Sequence, residues 1–312
     1  MNEDGRTREG PGLSRRTILA AAAGAAGYAA SSRGTAAQTA AAPAQRRFAG
    51  KTVIITGATS GIGAAAARAF AAEGGNVAFC GRRAALGRDV EAEIRAAGGE
   101  ATYIQADIRE PRQVRAFVDE AVATYGGLHV AFNNAGIQKP FAALHEGSIA
   151  DWDDTFLTNV RGVFLAMQAE IPHMLASGGG AIVVTSSSAT MVARPGLASY
   201  AASKEALQGL VRAAALEYGG QGIRINALLP GITDTPMVRP AELEDATWAL
   251  GKPLLGQLNV DGLGRIAEAA EIAAVALALA ADDFSYMTGA SIAVDGGLSA
   301  GRPLAIPELP ER

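Results

Sequence analysis

Val53-Ile54-Ile55-Thr56-Gly57-Ala58-Thr59-Ser60-Gly61-Ile62-Gly63 reads as a buried strand, a glycine-rich turn and the opening of a helix. The strand is apolar without alternation, the mark of a strand covered on both faces in a parallel sheet. Gly57, Gly61 and Gly63 let the backbone turn tightly, and the amides of the loop, from Thr59 through Ser60 to Ile62, can then meet a pyrophosphate at the helix N-terminus. Glycines also serve ordinary turns. At the first β-to-α junction of an alternating chain, however, the loop points to a dinucleotide site.

Outward from this stretch the alternation continues. The patterning predicts a helix at 63–73, a strand at 76–80, a helix at 88–97, a strand at 102–106, a helix at 111–125 and a strand at 129–132. A long helix over 151–176 leads to a strand at 181–185, a helix at 198–218, a strand at 224–228, a helix at 268–281 and a last strand at 291–295. The implied class is α/β: one doubly wound domain with a parallel sheet of about seven strands and helices on both faces. In such a sheet, ligands bind beyond the C-terminal strand ends. Residues 233–265 break the pattern with Pro, Gly, acids and isolated apolar residues, and are expected to form a substrate lid.

The end of the second strand selects the dinucleotide. An acid there would accept the ribose 2′-hydroxyl of NAD, but the position holds Gly81, followed by Arg82 and Arg83. Guanidinium groups suit a 2′-phosphate, so NADP(H) is favoured over NAD(H). The plain alternative is two solvated arginines at a helix start.

Tyr200-Ala-Ala-Ser-Lys204 places a phenol and an ammonium on one face of the expected 198–218 helix. A free phenol titrates near pH 10, and a neighbouring cation favours the phenolate. With Ser187 upstream, the segment offers a proton donor, its tuner and its aimer. Taken alone, a Tyr and a Lys at this spacing are as readily a packed ring and an exposed cation.

The 312 residues are 49% hydrophobic, with net charge −4, enough for a large core and unsuited to neutralising nucleic-acid phosphates. One cysteine, Cys80, excludes an internal disulfide, and three histidines without ligand spacing give no zinc signature. Residues 1–47 differ from the rest. Ser14-Arg15-Arg16-Thr17-Ile18-Leu19 looks like a twin-arginine export signal, followed by small residues suited to cleavage. The apolar run at 18–30 falls short of the roughly 20 residues of a membrane span. The expectation is an exported, periplasmic protein, with a cytoplasmic one as the alternative. Residues 48–297 form the expected domain and 298–312 a tail.

Together these residues resemble the short-chain dehydrogenase/reductase family in its compact form, over about residues 48–297. The resemblance is carried by Thr56-Gly57-x-x-x-Gly61-x-Gly63, Asp107, Asn133-Asn134-Ala135-Gly136, Asn159, Ser187, Tyr200-x-x-x-Lys204 and Pro230-Gly231-Ile232-Thr233-Asp234-Thr235, in the family's order. It implies a Rossmann-type fold and a set of roles. Tyr200 is the acid/base at the substrate oxygen, and Ser187 hydrogen-bonds that oxygen. Lys204 binds the nicotinamide ribose and lowers the tyrosine pKa, and Asn159 holds a relay water. Ser186 and Ser188 flank the assigned serine, but the interval to Tyr200 and the place of Pro195 favour Ser187. Asp107, with Ile108 beside it, implies an adenine contact and Asn134 an adenosine-ribose contact. Pro230, Gly231, Thr233 and Thr235 would meet the carboxamide and phosphates.

The sequence departs from the family at His129, where an Asp is usual, and in its leader. The resemblance implies an oxidoreductase moving hydride between NADP(H) and a secondary alcohol or ketone, and a homotetramer. An epimerase or dehydratase, or a non-catalytic NADP-binding sensor, are the rival readings; retention of Asn, Ser, Tyr and Lys together weighs against the latter. Residues 138–150, 188–197 and 233–265 would read the substrate. Phe141, Trp152, Met237 and Trp248 are candidates to line its pocket or, equally, for the core.

Overall fold

The computed structural model describes residues 46–301, so the leader and most of the tail lie outside the described residues. The elements are β1 (Thr52–Thr56), α1 (Gly61–Ala72), β2 (Asn76–Gly81), α2 (Ala84–Ala96), β3 (Glu100–Gln105), α3 (Pro111–Tyr125) and β4 (Val130–Asn133). Then follow α4 (Ile149–Phe156), a π-helical turn (Leu157–Arg161), α5 (Gly162–Ala176), β5 (Gly180–Thr185), α6 (Ala198–Tyr218) and β6 (Ile223–Pro230). The chain closes with β7 (Thr233–Asp234), α7 (Asp245–Asn259), β8 (Ala267–Glu268), α8 (Ala269–Ala280) and β9 (Ser291–Val294).

Seven strands form one parallel sheet in the order β3-β2-β1-β4-β5-β6-β9. The order in which strands are added changes sides between β1 and β4, where Thr56 pairs in parallel with Asn133. Alternate residues of each strand enter different cores. Ile54 and Ala78 join Phe117, Met174 and Leu207 under α3, α5 and α6. Val53, Ile55 and Phe79 join Phe70, Ile94 and Leu277 under α1, α2 and α8. This two-sided burial is why the strands lack polar alternation. Among the described residues no helix is long and apolar enough to cross a membrane.

Two helices fall where the pattern predicts them, residue for residue. Pro111 opens α3 and Gly126, with φ 78°, closes it, the residue types suited to those positions. The expected 151–176 helix instead runs from 149 as α4, slips through the π-helical turn and resumes as α5. The 233–265 segment contains α7, which its composition concealed. Pro253 lies inside the helix, and tertiary ties overcome its low propensity. Buried Trp248 donates from Nε1 to Asp234 (3.0 Å), and Lys252 pairs with Asp234 (2.7 Å) and with Glu268. The helix is thereby fastened to the short β7–β8 pair.

Candidate active site

A cleft of about 610 Å³ lies over the C-terminal ends of the strands, at the change of sides between β1 and β4. Its floor is the glycine loop. Gly57 has φ 70°, and a Cβ on it would lie 2.6 Å from the Ala135 Cα, so only glycine allows the loop to press on the end of β4. Thr56 Oγ1 stitches the same junction, accepting from the amides of Asn134 and Ala135 at 3.1 Å each. Ser60 precedes α1 without capping it through its side chain, which leaves first-turn amides for a ligand. Gly57, Thr59, Ser60, Gly61 and Ile62 line the cleft. Gly63 does not. A Cβ there would lie 2.5 Å from Gly57 O and 2.7 Å from Asn134 Nδ2, so the bare glycine is needed for packing beneath the loop.

At one end stand Arg82, Arg83, Asp107 and Ile108. Arg83 folds back on the loop, donating from NH2 to Thr59 Oγ1 (2.9 Å) and Ser60 Oγ (2.6 Å). A Cβ on Gly81 would lie 2.6 Å from the Thr59 methyl, so an acid at that point has no room while Thr59 stays in place. Burial would raise Asp107, but Arg109 outweighs it through hydrogen bonds and charge and holds the carboxyl below its ordinary value. Arg109 continues to Asp154 (2.8 Å), which also meets Lys139 (2.8 Å), joining this end of the cleft to α4.

Ser187, Tyr200 and Lys204 line the opposite end. The three adjacent serines are separated by their partners. Ser186 Oγ donates to Lys204 O (3.0 Å) and accepts from Gln208 Nε2 (2.7 Å), a buried structural position. Ser187 follows the end of β5, and its Oγ accepts from the Ala189 amide (3.1 Å), leaving the hydroxyl proton free for another acceptor. Burial pushes the Tyr200 phenol above its ordinary value, and the Ser187 hydroxyl opposes this. Lys204 lies one helical turn along α6 from Tyr200. Its Nζ lies 5.7 Å from the Tyr200 ring centroid and donates to Thr185 O at 2.8 Å. Burial alone brings Lys204 down to about 8.

Asn159 sits behind this group on the π-helical turn, fully buried. Its Oδ1 accepts from the Ile137 amide (2.8 Å), and its Nδ2 donates to Ile137 O (2.9 Å) and Ser203 Oγ (3.0 Å). A Cβ on Gly136 would lie 3.2 Å from Lys204 Nζ and 3.3 Å from Asn159 Oδ1. The bare glycine thus leaves space bordered by both polar groups. Asn134 spans the centre, donating from Nδ2 to Thr56 O (3.3 Å) and accepting from Thr185 Oγ1 (3.3 Å). Pro230, Gly231, Thr233 and Thr235 form the facing wall, where Thr233 Oγ1 donates to Gly231 O (3.0 Å).

Of the four large side chains considered for the substrate pocket, Phe141 and Met237 line the cleft. Trp248 is buried where α7 meets Asp234, and Trp152 stacks on Phe156 with centroids 4.7 Å apart. Gln138, Arg194 and Leu255 also line the cleft. The sequence marks the segments that hold Gln138, Arg194 and Leu255 as substrate-reading but does not single out these residues. His129 replaces a sheet partner: its Nδ1 accepts from the Thr52 amide at 2.9 Å. Below the site, Glu170 Oε2 accepts from Asn133 Nδ2 (2.8 Å), and burial pushes its carboxyl up to about 8.

These features fit a nicotinamide dinucleotide: open amides over bare glycines, arginines where an adenosine ribose would end, and hydroxyls at the far wall. Comparison with known proteins agrees. A family model described as enoyl-(acyl carrier protein) reductase matches residues 57–299. Cyclohexanol dehydrogenase of Acinetobacter sp. (strain SE19) is 39% identical over 250 residues, spanning 80% of this chain and 95% of that protein. Cis-4-hydroxycyclohexanecarboxylate dehydrogenase of Sinomonas cyclohexanicum is 40% identical over 255 residues, spanning 81% and 98%. A solved short-chain type dehydrogenase/reductase from Mycobacterium marinum superposes with a TM-score of 0.74 at 34% identity, covering 81% of this chain and 97% of that one. With its seven-stranded parallel sheet and this extent of similarity, the chain belongs to the short-chain dehydrogenase/reductase family of oxidoreductases.

Proposed function

We propose that the protein is an NADP(H)-preferring oxidoreductase of cyclic secondary alcohols and the corresponding ketones, with Tyr200 as the proton-transfer residue. The observation that carries this reading is the convergence of Ser187, Tyr200 and Lys204 on one end of a cleft whose other end bears Arg82 and Arg83. The names of the two dehydrogenase relatives support the cyclic alcohol class.

When bound, NADP(H) supplies hydride in reduction and accepts it in oxidation. The glycine-loop amides, with Thr233 and Thr235 opposite, would hold its phosphates. Arg82 and Arg83 would meet the 2′-phosphate, Asp107, Ile108 and Asn134 the adenosine, and Lys204 the nicotinamide ribose. In reduction, the Tyr200 phenol donates its proton to the substrate oxygen while the Ser187 hydroxyl donates a hydrogen bond to the same atom. Because burial favours the protonated phenol, Tyr200 is poised as an acid, and alcohol oxidation should gain as pH rises. Asn159, pinned to Ile137, would hold a water against Lys204 and so pass protons to solvent.

A screen of cyclic ketones and alcohols with NADPH and NADH side by side tests the reading. Tyr200→Phe should retain NADPH binding, followed by the fluorescence of the bound cofactor, and lose about 100- to 10,000-fold in turnover. Near-normal turnover in that variant would overturn the mechanism, and equal use of both cofactors by the wild type would overturn the NADP(H) preference. The proposal also includes a homotetramer, for which exposed Phe164 and Tyr286 provide apolar surface, and export through the Ser14–Leu19 signal. Light scattering and the N-terminal mass of periplasmic protein check these two points.

A further inference from the structure

Arg194 stands in the cleft without an assigned task. It lies on the loop leading from β5 to α6, six positions before Tyr200, and lines the same cavity. Its NH1 donates to Asn259 Oδ1 at 3.1 Å. That acceptor is itself oriented, because Asn259 Nδ2 donates to Leu255 O at 2.9 Å at the end of α7. The contact is to a neutral amide. Among the described residues, no carboxylate lies within ion-pair distance of Arg194, whereas Arg109, Lys139 and Lys252 each have one. Among the described residues, the only carboxylate lining the cleft is Asp107, which Arg109 already holds.

The surroundings of Arg194 sharpen its meaning. Arg194 is half-buried in a cavity also lined by the apolar Phe141, Leu197, Met237 and Leu255, so a charge-assisted bond there is less screened than on the open surface. One guanidinium N–H is taken by Asn259. The remaining donors form a planar fork, suited to two parallel bonds with a carboxylate. Arg82 and Arg83 stand at the glycine-loop end, with Arg83 on Thr59, and Lys204 bonds Thr185 O and has the nicotinamide ribose as its proposed partner. That leaves Arg194 as the cation of the substrate side.

We propose that Arg194 is a specificity residue that receives a carboxylate carried by the substrate away from its reacting carbon, so that the preferred substrates are cyclic hydroxy or keto acids with an apolar ring. The inference rests on the alcohol-oxidoreductase reading above. Asn259 holds the guanidinium in position and ties the specificity contact to the lid: an acid in the pocket would be gripped between the α6 approach and the end of α7.

The test compares 4-oxocyclohexanecarboxylate with its neutral near-isostere 4-oxocyclohexanecarboxamide and with cyclohexanone, each reduced with NADPH by the wild type, Arg194→Gln and Asn259→Ala. The wild type should favour the carboxylate over the amide by about 10- to 100-fold in kcat/KM, the range for a charge-assisted bidentate contact. Arg194→Gln should lose that preference, mainly through KM, while reduction of cyclohexanone changes little. Asn259→Ala breaks the same lid tie but keeps the cation, so it should retain most of the preference. No preference in the wild type, or equal loss of all three substrates in both variants, would overturn the assignment.

A binding arm separates this inference from the reading beneath it. Cyclohexanecarboxylate and cyclohexanecarboxamide are compared as ligands by thermal shift of the NADPH-loaded protein. If no ketone is reduced but only the carboxylate stabilises the wild type, and not Arg194→Gln, then Arg194 stands and the alcohol chemistry falls. If cyclohexanone is reduced and neither comparison distinguishes the carboxylate, the chemistry stands and Arg194 falls.

Discussion

Replacing Lys204 by Met should destroy turnover yet relieve the folded protein of an electrostatic burden, and the burden has a pH signature. Lys204 is 3% exposed, and burial brings it from an ordinary 10.5 to about 8. At about 1.4 kcal/mol per pH unit, that difference corresponds to about 3 kcal/mol of unfavourable burial while the ammonium is charged in both states. Below pH 8 both folded and unfolded chains hold the proton, and the full cost is present. Between pH 8 and 10.5 the unfolded chain holds more protons than the folded one, so stability rises with pH. Above 10.5 both are neutral and the cost is gone. The Met variant removes this slope. It also orphans Thr185 O, the acceptor of the Lys204 Nζ bond, at about 1–3 kcal/mol, so at pH 7 the two effects nearly offset. Urea unfolding of cofactor-free wild type and Lys204→Met between pH 7 and 10.5 measures the difference directly, since other titrating groups are common to both. The wild type should gain about 3 kcal/mol on the variant across that range. A stability difference constant to within about 0.5 kcal/mol would refute the argument.

Glu170, raised from an ordinary 4.5 to about 8 by burial, behaves in the opposite sense. Its neutral form is favoured on folding, so the stability it supports is lost as pH rises from 4.5 through 8; Glu170→Gln should flatten that decline in urea unfolding, and an unchanged pH profile would count against it. His129 is held below its ordinary value by burial, assisted by Lys51, so its stabilising neutral form is present above about pH 6.5 and lost on acidification. Wild type should therefore lose more stability than His129→Asn between pH 7 and 5, and parallel losses would exclude the imidazole. Gly57→Ala sets a Cβ 2.6 Å from the Ala135 Cα at φ 70°; a loss of about 1–3 kcal/mol and weakened NADPH binding should follow, and an unshifted melting curve would contradict the packing account.

The strand-and-helix alternation was legible because burial on both faces writes itself into composition: Val53, Ile54 and Ile55 contribute to opposite cores yet all must be apolar. Helix ends were legible where residue type dictates them, as at Pro111 and Gly126. Where tertiary contacts decide, the pattern failed. Helix α7 survives Pro253 through Trp248 and Lys252, whose partners Asp234 and Glu268 lie outside the helix. That Ser187, Tyr200 and Lys204 line one cleft was legible because they lie on two neighbouring segments. Gly63 shows how alike a cleft glycine and a packing glycine look in a loop: the space beneath it is filled by Gly57 O and Asn134 Nδ2. Arg194 was missed because an arginine beside a proline carries no signal until a structure shows what it lacks.

The π-helical turn at Leu157–Arg161 works as a phase shifter. A continuous α-helix from 149 to 176 would keep a single angular setting along its length, and the side facing the sheet would dictate the side facing the cleft mouth. One wider turn inserts a rotational offset between the two halves. Asp154 can then answer Arg109 and Lys139 while Val163, Ala166 and Met174 keep their places in the core, with Asn159 at the junction. Shortening the turn by one residue would set these two alignments against each other, which makes it a point where small insertions or deletions divide stability from function.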